Sequence, residues 1–404
     1  MKRILVASVG GSPEPIVNAV VQTAPDFVYF LCSTGTHGSD RTIDETTSSE
    51  PIASRARLLP GRYAIERVAY PDNLPDVVAA VERIAADIVS RVAGEEREVI
   101  ANYTGGTKTM AAGLVVSALR VGWSLQINGT GSERTNLTKI TGGDLPLPQD
   151  TTVILVRDAV AIAEAQAARH SYDAALETLT LTLVRTQLPP AEQAALATLK
   201  TEYEVRARWD RFDYDGALEA AGHDPGLKAR FAAKLHKLTQ IRALCEQGEW
   251  TRRDLTGAEL VEDVVENADR CAARGRYDDA VGRLYRATEL LAQVRLLRKY
   301  KVRTGGVDLA HAVIPEASRG WLEARKEPSG KVKLGLFDAY RLLADLGDPL
   351  GAYFTENEKQ LRNVVLARND SLFAHGLTPI TEALWERTGA PWAAWLAGAL
   401  AAAP

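Results

Sequence analysis

The stretch Tyr103-Thr104-Gly105-Gly106-Thr107-Lys108-Thr109-Met110 has the residue types that hold a phosphate. Apolar Val99-Ile100-Ala101 precedes it, and a helical pattern through Ala111, Leu114, Val115, Ala118 and Leu119 follows, so it reads as a strand-to-helix turn. Its two glycines admit close backbone approach. Its threonines and lysine supply donors, and the helix N-terminus behind them favours an anion. A P-loop would place the lysine directly after its last glycine, with another glycine five residues before that one. Here Thr107 intervenes and Ala101 stands upstream. The first turn, Val9-Gly10-Gly11-Ser12-Pro13-Glu14-Pro15, lacks the third glycine of a dinucleotide fingerprint and carries two prolines.

A second group with chemical potential is Leu366-Ala367-Arg368-Asn369-Asp370-Ser371-Leu372-Phe373-Ala374-His375-Gly376. On one continuous helix, Arg368 and His375 would share a face about 10 Å apart along the axis. One helix cannot close that pair, but a twofold-related copy could bring both residue types around one phosphodiester. Gly376 reads as a helix terminator. That leaves His375 in the last turn, where the dipole favours the protonated ring and suits a general acid. A surface Arg-Asn-Asp cluster with a histidine at the helix end fits the same spacing.

Residues 1 to about 157 alternate strand and helix signals. Arg3–Val9, Asp26–Cys32, Arg62–Tyr70, Glu98–Tyr103, Ser124–Gly129 and Thr152–Arg157 are the expected strands, with helical patterns at Glu14–Thr23, Leu74–Ala93 and Thr107–Leu119. The alternation predicts a doubly wound sheet, whose ligands sit beyond the carboxyl ends of the strands at the switch point. Three small, hydroxyl-rich loops would converge there: Gly10-Gly11-Ser12, Ser33-Thr34-Gly35-Thr36-His37, and Thr104 to Lys108. Any one of them serves equally well as a plain turn, and His37 is assigned no role.

From Ala159 onward the sequence is helical and rich in Ala, Leu, Glu and Arg. Tyr172-Asp173-Ala174-Ala175-Leu176, Tyr214-Asp215-Gly216-Ala217-Leu218 and Tyr277-Asp278-Asp279-Ala280-Val281 echo one another. They predict helical hairpins of similar construction in which Asp starts the helix, although unrelated amphipathic helices would also satisfy the pattern. A long helix is expected over 276–291, a loop-rich interruption between Lys301 and Lys333, and further helices at Leu336–Leu346 and Thr355–Leu372.

Composition excludes several classes. The chain has 404 residues, 46% of them hydrophobic, enough for two or three domains with real cores. Lys and Arg total 48 against 52 Asp and Glu, so no global basic field is present and a polyanion must be held by local patches. The scattered cysteines Cys32, Cys245 and Cys271 have no zinc-ligand spacing and point to a reducing, cytoplasmic setting. The run 4–9 is too short for a signal-peptide core. The apolar stretch 390–404 falls short of the roughly 20 residues of a membrane span. No carboxylate cluster demands a metal, and no cofactor is expected.

Taken together, the motifs resemble a known family. The N-terminal part resembles the CARF domain, a Rossmann-like sensor of cyclic oligoadenylates, through Thr104-Gly105-Gly106-Thr107-Lys108. The C-terminal part resembles a HEPN ribonuclease domain, whose Arg-x(4 to 6)-His motif matches Arg368 and His375 at the upper spacing limit, with Asn369 after the arginine. Arg283-Leu284-Tyr285-Arg286-Ala287-Thr288-Glu289 resembles a recurrent segment of one such family. The whole chain is thus similar to CRISPR-associated CARF-HEPN proteins of type III systems.

That resemblance implies α/β plus all-α architecture: a Rossmann-like CARF domain over 1–157, a helical connecting segment over 158–262 and an all-helical HEPN domain over 263–404. It implies a homodimer that binds one cyclic oligoadenylate through Thr104, Gly105, Gly106, Thr107 and Lys108, and the loops expected beside that turn add Gly10, Gly11, Ser12, Ser33, Thr34 and Gly35. The bound ring would activate cleavage of single-stranded RNA by Arg368, Asn369 and His375, without metal.

Four alternatives stand against this. The helical domain could be a non-catalytic effector, or Ser12 and Lys108 could cleave the ring itself. A DNA-binding regulator would need a basic winged helix near the C-terminus, and none is found. A nicotinamide-dependent oxidoreductase is disfavoured by the missing third glycine.

Overall fold

The computed structural model describes residues 1–45, 50–129, 144–185, 188–371 and 376–402. The chain divides into two compact units, 1–157 and 158–404.

In the first unit, the described strands are β1 (Lys2–Ser8), β2 (Phe27–Ser33), β3 (Tyr63–Val68), β4 (Arg97–Asn102), β5 (Ser124–Gly129) and β6 (Leu145–Gln149). They form one sheet in the order β3-β2-β1-β4-β5-β6, parallel from β3 to β5, with β6 antiparallel at the edge. Between them run α1 (Glu14–Thr23), α2 (Arg41–Asp44), α3 (Ile52–Arg55), α4 (Leu74–Arg91) and α5 (Lys108–Val121). The apolar run of β1 is buried on both faces. Ile4 and Val6 pack with Val77, Ile84 and Leu114 of α4 and α5, while Leu5 and Ala7 pack with Ile16 and Val20 of α1. This is the doubly wound arrangement that near-continuous hydrophobic strands require.

One expected strand is a helix. Thr152–Arg157 forms the start of α6 (Thr152–Ala168), because Asp150 accepts a hydrogen bond from the Thr152 N–H at 2.9 Å and the Thr151 carbonyl accepts from Ile154 and Leu155. A short β-branched run is ambiguous between strand and helix, and here the turn chemistry before it decides. The last strand is instead Leu145–Gln149, whose Pro146 and Pro148 lack N–H donors and are tolerated at a sheet edge.

The second unit is helical: α7 (Tyr172–Arg185), α8 (Pro190–Asp210), α9 (Tyr214–Gly222), α10 (Pro225–Gln247), α11 (Ala258–Ala273), α12 (Tyr277–Tyr300), α13 (Glu316–Glu323), α14 (Leu336–Asp345), α15 (Pro349–Asn369) and α16 (Glu382–Ala402). Among the described residues, an extended apolar core runs through it from Val205 to Ala399.

The three Tyr-Asp echoes open α7, α9 and α12, and each follows the same turn. His170, Phe212 and Gly275 are left-handed, and the next amide (Ser171, Asp213, Arg276) donates to the carbonyl five residues back. The echoed Asp is the second residue of its helix rather than the cap. At α9 the cap is Asp213, whose carboxylate accepts from the Gly216 N–H at 3.0 Å.

Helix α15 also departs from expectation at both ends. It begins at Pro349, capped by the buried Asp348, and stops at Asn369. No helix among the described residues is long and apolar enough to cross a membrane.

Candidate functional site

In the first unit, β1 and β4 are parallel neighbours from which the strand order proceeds in opposite directions, so the loops after them flank a switch-point crevice. These loops meet backbone to backbone. A Cβ on Gly10 would lie 2.8 Å from the Gly106 nitrogen, and one on Gly105 would lie 2.5 Å from the Ser8 carbonyl oxygen. Gly106 is also left-handed, with φ +84°. The Ser8 hydroxyl donates to the Gly105 carbonyl at 2.7 Å and fastens the contact.

The two threonine hydroxyls of the turn are engaged internally. Thr107 is the N-cap of α5, accepting from the Met110 N–H at 3.1 Å and donating to the Pro71 carbonyl at 2.8 Å. Thr104 accepts from the Asn128 N–H at 2.7 Å and donates to the Asn128 side-chain oxygen at 3.3 Å. Among the described residues, the amides of Gly105, Gly106 and Thr107 have no hydrogen-bond acceptor, and Lys108 is exposed at the first position of α5. A row of free amides before a helix N-terminus, with a lysine beside it, is an arrangement that can accept an anion. Gly11 and Ser12 are exposed in the loop after β1.

The third loop, Ser33-Thr34-Gly35, ends β2 beside β1. It is closed on itself, with the Ser33 and Ser39 amides each donating at 3.0 Å to the other serine's hydroxyl.

Beneath the turn lies a polar cluster that motif reading missed. Asn102, Gln126, Asn128 and Asp144 are buried, and Asn18 reaches Asp144 from α1. Its only sequence signal is the alternation Ser124-Leu125-Gln126-Ile127-Asn128, which puts polar residues on one face of an interior strand.

In the second unit, Arg368 occupies the last turn of α15. Its guanidinium carbon lies 4.5 Å from the Tyr285 ring centroid, and Nη1 donates to the Asn369 side-chain oxygen at 3.1 Å. Burial, then Glu289, pushes the Tyr285 hydroxyl pKa up, while Arg368 opposes the shift. Tyr285 belongs to the recurrent segment singled out in the sequence, so that segment supplies the surface on which Arg368 is held.

The expectation of a helix continuous to His375 is overturned. Asn369, Asp370 and Ser371 compete for backbone hydrogen bonds and end helices readily. The Ser371 N–H donates to the Arg368 carbonyl at 3.0 Å, and the chain then returns. The Gly376 N–H donates to the Ser371 carbonyl at 3.2 Å and the Thr378 N–H to the Asp370 carbonyl at 3.1 Å. Gly376 is therefore not a terminator one residue past the helix. It packs where a Cβ would lie 2.0 Å from the Asp370 carbonyl oxygen. The two-turn spacing argued for Arg368 and His375 no longer applies, and His375 itself lies outside the described residues.

Residues 251–390 match the family model described as the Csm6 HEPN domain. Among solved structures, Csm6 of Enterococcus italicus bound to cyclic hexa-2'-fluoro-hexa-dAMP matches over 100% of this chain and 94% of its own, with 10% identity and a TM-score of 0.57. The C-terminal part thus carries a Csm6-type HEPN match, and the chain shares the fold of that solved Csm6. Can2 from Sulfobacillus thermosulfidooxidans, in complex with cyclic tetra-adenylate, matches over 49% of this chain and 57% of its own at 17% identity and a TM-score of 0.24. Protein VC1899 from Vibrio cholerae matches over 51% and 58% at 13% identity and 0.25, and at such scores neither likeness carries an argument. No curated protein matches the chain.

Proposed function

We propose that this protein is a metal-independent endoribonuclease of type III CRISPR defence that cuts single-stranded RNA when a cyclic oligoadenylate fills the crevice of its first unit. The carrying observation is that one chain combines an amide-lined switch-point crevice with a Csm6 HEPN match that contains the Arg368 motif. The E. italicus Csm6 of the same fold was solved with a cyclic hexanucleotide analogue, which makes cyclic hexa-adenylate the first ring to test.

In a homodimer, two crevices related by a twofold axis would face the ring's phosphates. The free amides of Gly105, Gly106 and Thr107, the Lys108 ammonium, and the exposed Gly11 and Ser12 supply the donors, so a chain without net positive charge can hold a polyanion. At the cleavage site the RNA 2′-hydroxyl attacks the adjacent phosphorus, its proton leaves to a base, and the 5′-oxygen departs with a proton, giving a 2′,3′-cyclic phosphate. Arg368 stabilises the charge on the phosphorane, His375 transfers a proton as general acid or base, and Asn369 orients the guanidinium it already touches.

The test is a fluorogenic single-stranded RNA incubated in EDTA with cyclic tri-, tetra- or hexa-adenylate, beside the doubly substituted Arg368→Ala, His375→Ala protein. Cleavage by the natural sequence alone, triggered by one ring, is the expected result. Ring binding without cleavage would instead identify a sensor with a non-catalytic helical domain, and equal cleavage by the variant would refute the residue assignment.

A further inference from the structure

We infer that Asn128, held by Asp144, positions the two phosphate-facing loops of the crevice, and that Thr104 acts as its counterpart within the turn rather than as a ligand contact. The inference rests on the ring-binding reading above and names residues that the motifs did not.

Asn128 is 2% exposed at the end of β5, and every hydrogen-bonding position of its side chain is filled. Its oxygen accepts from Asn102 Nδ2 at 2.8 Å and from the Thr104 hydroxyl at 3.3 Å. Its nitrogen donates to the Pro15 carbonyl at 2.7 Å and to Asp144 Oδ2 at 2.7 Å. One side chain therefore ties the start of α1, the end of β4 and the Thr-Gly-Gly-Thr turn together. Asp144, 1% exposed, holds that amide with one oxygen and accepts from Asn18 Nδ2 of α1 with the other.

The cluster is buried at Asn102, Asn128 and Asp144, half-buried at Asn18 and Thr104, and directional, so each member fixes the orientation of the next. The turn it fixes is the one whose amides are free. Those amides can converge on a phosphate only while Thr104 is pinned, because Thr104 precedes the first of them and spends its hydroxyl and its N–H inside the protein. A loosened turn would still fold against Gly10, but its donors would no longer aim at one point.

The experiment uses full-length protein, labelled cyclic hexa-adenylate for direct binding, and RNA cleavage titrated with unlabelled ring. Asp144→Asn places an NH2 against the donor of Asn18 or Asn128. The expected result is a rise of about tenfold in both the ring Kd and the half-activating concentration, with the cleavage rate at saturating ring unchanged. Asn18→Asp alone sets two carboxylates together and weakens binding similarly. The pair Asn18→Asp with Asp144→Asn restores both hydrogen bonds with one reversed, and recovers affinity. Thr104→Ser, which keeps the hydroxyl, binds nearly as the natural sequence does, whereas Thr104→Val binds like Asp144→Asn.

Unchanged ring affinity in Asp144→Asn and Thr104→Val, with only a lower melting temperature, would reduce the cluster to a structural role and overturn the inference. So would a lowered plateau rate at unchanged affinity. If Asp144→Asn fails to fold, the Thr104→Ser and Thr104→Val pair decides. Failure of the natural sequence to bind any ring overturns the ring-binding reading itself, and the inference with it.

Discussion

At the scale of single residues, Arg368 is the side chain whose geometry says most. Stacked on Tyr285 and bonded to Asn369, it is held at the end of α15 with donors to spare. Arg368→Ala is expected to lower ring-activated cleavage by at least about a hundredfold, as loss of a charge-stabilising donor does, while ring affinity stays unchanged. Arg368→Lys should not recover the rate, because a compact ammonium replaces neither the planar stack nor the fork of donors. Tyr285→Leu should lower the rate by about tenfold through the lost cation–π contact, whereas Tyr285→Phe keeps the ring face and most of the activity. Single-turnover cleavage at saturating ring separates these outcomes. The arginine was legible in the sequence as half of a motif. Its platform was not, since only the packing of α12 against the end of α15 shows that Tyr285 is the ring beneath it.

Among the elements, α15 depends on a buried ionic cap. Asp348 accepts from the Leu350 N–H at 3.0 Å, Lys299 Nζ at 2.9 Å, the Tyr300 hydroxyl at 2.8 Å and Arg295 Nε at 3.0 Å. Burial raises the Asp348 pKa, but these four donors outweigh it and hold the carboxyl below its ordinary value. The folded pKa is therefore the lower one. The stabilisation is complete above the unfolded carboxylate value near ~4 and is lost as pH falls through the folded value. Asp348→Asn should cost about 3 kcal/mol in denaturant unfolding at pH 7, and the gap between variant and natural sequence should narrow as the pH drops below about 4. A gap independent of pH would mean that the carboxylate charge contributes nothing. The other end of α15 carries a second expectation. Gly376→Ala forces a Cβ against the Asp370 carbonyl, so it should lower both the melting temperature and the cleavage rate, while ring binding in the first unit is unaffected.

For the whole molecule, the proposal that each cleavage site draws on two copies of the chain has a direct test. If each site takes arginine from one protomer and histidine from its partner, the Arg368→Ala and His375→Ala proteins are each inactive alone. An equimolar mixture then contains dimers in which one of the two sites is intact, and about a quarter of the natural activity should return. No return of activity would place both residues of each site within one protomer or require all four at once.

The sequence by itself determined the layering of the first unit, because apolar strands alternating with amphipathic helices have one way to bury both faces. It also determined where the glycine turns fall, since close backbone approach and a left-handed Gly106 admit little else. The Tyr-Asp echoes announced three hairpins for a similar local reason. Only the tertiary structure decided what lies behind those turns. Asn128 and Asp144 carry no motif, and their role depends on β5, the start of α1 and the Thr104 turn meeting in space. The same holds at Thr152–Arg157, where a β-branched run became helix once Asp150 and Thr151 supplied its first turn. It holds again at Asn369, where the return of Gly376 and Thr378 against Asp370 ended a helix that periodicity alone would have continued. Local patterns fix hydrogen bonds a few residues apart; pairings across more than a hundred residues, such as Asn128 with Pro15, exist only after the chain has folded.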